Sequence, residues 1–105
     1  MRVLFDQGTP APLRRHFTEH TVSTAYELGW STLKNGELLD AAESEFDVLV
    51  TVDQNLRYEQ KLAGRSLAIL VLPFASWPRL QRHTEAIIAA IGSLTPGAYL
   101  ELELD

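Results

Sequence analysis

Two stretches of this chain are apolar at nearly every position and too short to be anything but strands. Residues 46–52 carry only Asp47 and Thr51 as polar interruptions, and residues 66–72 carry only Ser66. A strand with one wet face alternates apolar and polar residues. A strand apolar on both sides must be covered on both faces, which is the usual condition inside a parallel sheet. Asp53 closes the first run and Pro73 the second. Any fold for this chain must therefore supply two helical layers.

The rest of the sequence provides them. Residues 2–5 read as a short buried strand and residues 6–10 as a turn. Pro10 and Pro12 suit the first turn of a helix, where a missing N–H costs little, and helix is expected to about Glu19. A brief strand is expected at 20–23, one helical turn at 25–28 ended by Gly29, and a loop at 30–36. Residues 37–45 place Leu38, Ala41, Ala42 and Glu45 on one side of a helix, with Asn35 as its N-cap. A helix capped by Asp53 is expected to run to about Ala63 and stop at Gly64. Another starts at Ser76, Trp77 and Pro78 and continues to about Ile91. Residues 99–105 set Leu100, Leu102 and Leu104 against Glu101, Glu103 and Asp105, the pattern of a half-exposed edge strand. Strands and helices alternate along the whole length, so the fold class is α/β with a parallel sheet, in one domain spanning 1–105.

Composition narrows the function. The 14 acidic and 9 basic residues leave a formal charge of -5, which argues against coating nucleic acid by bulk electrostatics. There is no cysteine, so disulfides and thiolate metal sites are excluded and a reducing, cytoplasmic location is expected. No apolar run approaches the roughly 18 residues of a membrane span, so no membrane partner is expected. Gly-rich phosphate loops and the Gly-x-Ser-x-Gly elbow are absent.

Chemistry is best sought where parallel strands end, because ligands of open parallel sheets bind beyond the carboxyl ends of the strands. Asp6 follows the first strand and Asp53 the 46–52 strand. Glu37 starts the helix that feeds the second of these, so its first turn lies at the same edge. Three acids there could hold a hard divalent cation, which takes oxygen ligands and commonly one or two protein carboxylates. Each has an ordinary structural role as well: Asp6 shaping its turn, Asp53 capping a helix, Glu37 answering a helix dipole. Arg57, Lys61 and Arg65 recur every four residues and would line one helical face, where Arg57 and Lys61 could hold phosphate; a solvated surface gives the same pattern. His16-x-x-Glu19-His20 matches an inverted zinc-peptidase motif, but it offers no third ligand in a chain too small for such an enzyme. Trp30 and Trp77 read as core or rim rather than as a base-stacking platform.

Three segments together, Val3-Leu-Phe-Asp6, Glu37-Leu-Leu-x-x-Ala42 and Val48-Leu-Val-Thr-Val-Asp53, resemble the short PIN-like domains. These are relatives of the VapC-type toxins and of the Mut-seven C-terminal domain. The resemblance covers residues 1 to about 72, and the hydrophobic-strand-Thr-x-Asp segment is its most specific part. It implies a three-layer fold with a mainly parallel central sheet of about five strands. It also implies a nuclease dependent on Mg²⁺ or Mn²⁺, in the toxins a ribonuclease paired with an antitoxin protein. Asp6 then matches the first family acid and Asp53 the acid of the Thr-x-Asp motif, with Glu37 completing the metal set and Thr51 supporting Asp53. Gln7, Asn35 and Asn55 fall where relatives carry further acids and would orient water or substrate. An amide oxygen lacks the charge of a carboxylate and is the weaker metal ligand. The amides therefore leave a second reading open: a non-catalytic PIN-like module with a degenerate acidic site, binding a partner protein or a nucleotide. The edge at 99–104 could also pair with a second copy, giving a homodimer.

Overall fold

The two apolar runs lie side by side at the centre of the sheet. In a computed structural model, which describes residues 1–104, the strands are β1 (Arg2–Phe5), β2 (Thr21–Thr24), β3 (Val48–Thr51), β4 (Ala68–Val71) and β5 (Tyr99–Glu101). Asp105, expected on the polar side of the last strand, lies outside the described residues. The sheet order is β2-β1-β3-β4-β5, and every pair is parallel. The expected three-layer α/β architecture is thus present, with an all-parallel sheet.

Strand alternation divides the interior into two cores. Val3, Phe5, Val48, Val50, Ala68, Leu70 and Leu72 face one way. They are covered by Leu13 of a 3-10 helix (Ala11–His16), by Phe17, and by Leu80, Ile87, Ala90 and Ile91. The last four come from α3 (Trp77–Leu80) and α4 (Thr84–Ser93), joined by a 3-10 turn at Gln81–His83. Leu4, Leu49, Ile69 and Val71 face the other way, under Leu38, Leu39 and Ala42 of α1 (Asn35–Glu43) and Leu56 of α2 (Leu56–Glu59). Fully burying one such side chain contributes about 1.5–3 kcal/mol, and β3 and β4 bury all four residues each.

The connections between strands are not all of one hand. The β1–β2 and β4–β5 connections cross the same face but move in opposite directions along the sheet. They therefore have opposite hands. The β2–β3 and β3–β4 connections cross the other face toward β5, which gives them the hand of the first. Only the β4–β5 connection differs, although one hand dominates such crossovers almost completely. The exception has a packing reason. The six-residue 3-10 helix buries only Leu13, too little to cover Val48, Val50, Leu70 and Leu72. The long α3–α4 segment supplies the missing layer.

Residues 25–28 form turns and no helix, β5 stops at Glu101 short of the strand expected over 99–105, and three longer helices differ from expectation as well. The first is a 3-10 helix ending at His16, and the chain then turns into β2 at Thr21. The helix near 77–91 is interrupted at His83, where φ −123° and ψ 19° leave the helical region; the break re-aims α4 so that Ile87 and Ile91 reach the sheet. The helix after Asp53 is one turn only. Gln60 is extended (φ −129°, ψ 144°), its side chain lies over Gly36, and Leu62 packs onto the α1-side core. That packing outweighs the helical propensity of residues 60–63.

Glu43 ties α1 to the start of β4. Its carboxylate accepts from the Ser66 hydroxyl, from Ser66 N–H at 2.7 Å and from Leu67 N–H at 3.4 Å. The Ser66 hydroxyl, foremost, holds this carboxyl below its ordinary value of 4.5, against partial desolvation. A lowered folded pKa gives stability that is present above the unfolded value and lost as pH falls through the folded one. Urea midpoints should therefore fall from about pH 6 to about pH 3, and Glu43→Gln should remove part of that slope. Gly97 sits at φ +77°, and a Cβ there would lie 2.8 Å from the Arg65 carbonyl. Gly97→Ala should cost about 2–3 kcal/mol in urea unfolding. Gly29→Ala, at φ +74° but in open space, should cost about 1 kcal/mol.

Candidate functional site

The strand order reverses direction at β1 and β3: from β1 the chain goes first to β2 on one side and then back to β3 on the other. Such a switch point leaves a crevice beyond the carboxyl ends, the usual ligand position in α/β sheets. Asp6 leaves β1 there and Asp53 follows β3. The two strand ends are joined directly by the Asp6 N–H donating to Val50 O at 3.1 Å.

Thr51 links the two acids. Its hydroxyl donates to Asp6 Oδ2 and accepts from Asp53 N–H at 3.1 Å. One hydroxyl proton and one lone pair meet both demands without conflict. Thr51 is 2% exposed, so the bridge is shielded from water. The support expected for Asp53 thus extends to Asp6.

Each carboxylate is held from a second side. Asp6 Oδ1 accepts from Thr9 N–H at 3.1 Å and lies 2.7 Å from the Thr9 hydroxyl. That hydroxyl is also 2.9 Å from Val50 O, and its single proton serves one acceptor at a time. The turn is close-packed: a Cβ on Gly8 would meet Val52 Cγ2 at 2.8 Å. Asp53 Oδ1 accepts from Asn55 N–H at 2.9 Å, a local turn that leaves Asn55, not Asp53, at the N-cap of α2. Asp53 Oδ2 accepts from Asn35 Nδ2 at 2.8 Å. A carboxylate oxygen offers two acceptor directions, so both acids are oriented while keeping acceptor capacity.

Asn35 was expected to cap α1 and instead occupies its first turn. Lys34 takes the N-cap position, and its N–H donates to Glu37 Oε1 at 3.0 Å. This frees the Asn35 amide to reach across to Asp53. It also gives Glu37 the structural role of closing the helix start, and Glu37 is exposed. Among the described residues, no three His, Cys, Asp or Glu side chains come together as a metal-binding group. The histidines of the 16–20 motif diverge: His16 packs on Trp77 at 5.8 Å and His20 on Phe17 at 5.9 Å between ring centres.

A cleft of about 120 Å³ opens beside Asp6, lined by Gln7, Gly8, Trp30, Ser31 and Asn35 among others. It can admit a few waters or one small polar group. The basic strip does not form, because α2 ends at Glu59. Arg57 pairs with Glu101 at 3.1 Å and donates to the Tyr58 hydroxyl, which foremost raises its own pKa. Arg65 pairs with Asp40 at 2.8 Å, and Lys61 is exposed beyond the helix. Burial, then the Glu101 charge, pushes the nearby Tyr99 hydroxyl up.

Sequence reasoning missed Thr9 and Gln54. Thr9 sits three residues after Asp6, the spacing of an Asp-initiated turn that closes on a hydroxyl, and could have been found on that ground. Gln54 Nε2 donates to Leu72 O at 2.6 Å, a contact that no local pattern encodes.

Comparison with known protein families, curated proteins and solved structures returned no match. Thr51→Val keeps the shape of the buried bridge and removes its hydrogen bonds. It should cost about 1–3 kcal/mol in urea unfolding, and Thr51→Ser should recover most of the loss.

Proposed function

We propose that this chain is a PIN-like domain that binds Mg²⁺ or Mn²⁺ through Asp6 and Asp53 and cleaves RNA phosphodiesters. One observation carries the reading: two acids at the switch point of a parallel sheet, bridged by one buried threonine that donates to the Asp6 carboxylate and accepts from the Asp53 backbone N–H. The donor set suits a hard cation of the Mg²⁺ type, which takes one or two carboxylates and draws its remaining ligands from water and substrate phosphate. Such a cation, when bound, supplies Lewis-acid stabilisation of charge on the phosphoryl oxygens. The chain's own residues do the rest. Thr51 and Thr9 fix the Asp6 carboxylate, Asn35 and Asn55 fix that of Asp53, and Gln7 lines the cleft where water or substrate would enter. Held this way, the acids need little reorganisation when a ligand arrives.

A second reading is a non-catalytic PIN-like module binding a nucleotide or a partner protein. It is favoured by Glu37, whose carboxylate is engaged at the start of α1, and by the amides around Asp53. Metal binding separates the two. Free Mn²⁺ at ten times its Kd should stabilise the fold by about 1.4 kcal/mol, roughly 6 °C in Tm for a domain of this size. Asp6→Asn with Asp53→Asn should abolish both that shift and cleavage of a single-stranded RNA. An unmoved melting curve in the native protein would end the nuclease reading.

A further inference from the structure

All four phenylalanines, both tryptophans and Tyr99 are buried or half-buried. Tyr26 and Tyr58 are not: they are 80% and 72% exposed. Isolated exposed apolar residues are ordinary, but both of these stand at the carboxyl end of the parallel sheet. Tyr26 stands two residues beyond the end of β2, and Tyr58 lies in α2, just beyond β3. Both segments leave the carboxyl edge of the sheet, and β1, which delivers Asp6, runs between them. Arg57, bonded to the Tyr58 hydroxyl, pairs with Glu101 of β5, so the two tyrosines stand toward opposite edges of the sheet, which at a strand spacing of about 4.8 Å are roughly 19 Å apart, a span that a few extended nucleotides can cross.

We propose that Tyr26 and Tyr58 are a stacking platform for the bases of single-stranded RNA, bracketing the Asp6–Asp53 pair. This deepens the nuclease reading and rests on it for the identity of the strand. Tyr58 is already held for the task. The Arg57 guanidinium lies 4.7 Å from its ring centre, donates to its hydroxyl and is anchored by Glu101. A ring fixed before binding loses less freedom on stacking. The electrostatics point the same way. The chain carries a charge of -5, and Arg57, the basic residue beside Tyr58, is paired with a carboxylate. Attraction to phosphates is therefore weak, and affinity for a strand must come from its bases. Stacking on aromatic rings is tolerant of sequence and worth about 1–3 kcal/mol per base.

The test is fluorescence anisotropy with a labelled oligoadenylate of about eight nucleotides, in buffer containing EDTA so that no cleavage intervenes. Tyr26→Ala and Tyr58→Ala should each weaken binding about tenfold, the loss of one stacked base. Tyr26→Trp and Tyr26→Phe, which keep a stacking ring, should bind within about twofold of the native protein, while Tyr58→Phe, which keeps the ring and loses the Arg57 bond, should bind between the native protein and Tyr58→Ala. Affinity should fall only slightly with salt, by no more than about two phosphate contacts' worth. Absence of binding by the native protein, or alanine variants that bind as tightly as it does, would overturn the platform. The two proposals fail separately. Tyrosine-dependent binding without Mn²⁺-dependent cleavage removes the nuclease and keeps the platform. Cleavage by alanine variants with unchanged affinity does the reverse.

Discussion

Burial of β3 and β4 on both faces is the constraint from which the rest of the structure follows. Eight consecutive-strand residues, Val48–Thr51 and Ala68–Val71, lose contact with water on either side. Neither strand can lie at an edge, and neither face can stay open. One face is met by α1 and α2, in keeping with the chain order. The other is met partly by a 3-10 helix and mainly by α3 and α4. The opposite hand of the last connection is the geometric consequence, since only a crossing over that face completes its cover.

The same parallel arrangement places the acids. Because β1 and β3 are neighbours running in one direction, the residues after them emerge at the same edge. Thr51, the last residue of β3, then has Asp6 across the strand pair and Asp53 two residues ahead. A buried hydroxyl with one proton and a free lone pair is well suited to join a carboxylate to a backbone N–H. The link is between the frame and the site: the sheet that buries the core also fixes the Asp6 carboxylate and the Asp53 backbone, and α1 adds Asn35 on the Asp53 carboxylate.

Much of this was legible in the sequence. The strands beginning at Arg2 and centred on Val48–Thr51 and Ala68–Val71 announce themselves by runs with few polar residues, and the alternation of strand and helix gives the fold class. Asp6 and Asp53 follow from strand ends alone. Helix lengths did not follow, because they depend on distant partners. Residues 60–63 look helical locally, but Leu62 gains more from the core and Gln60 docks on Gly36. With that helix shortened, the spacing of Arg57, Lys61 and Arg65 loses its meaning, and the arginines find Glu101 and Asp40 instead. Glu37 shows the same limit: its place near the edge was readable, while its bond to Lys34 N–H depended on where α1 begins.

The sequence by itself determined a parallel α/β domain with two acids at the ends of its strands, because two-faced burial and strand termination are local properties. Only the tertiary structure decided that the acids are coupled through Thr51 and seconded by Thr9 and Asn35. It also decided that Arg57 and Arg65 of the expected basic strip go into ion pairs and that Tyr26 and Tyr58 remain in water. Those outcomes turn on which strands become neighbours and where each helix stops. Both are settled by packing between residues far apart in the chain.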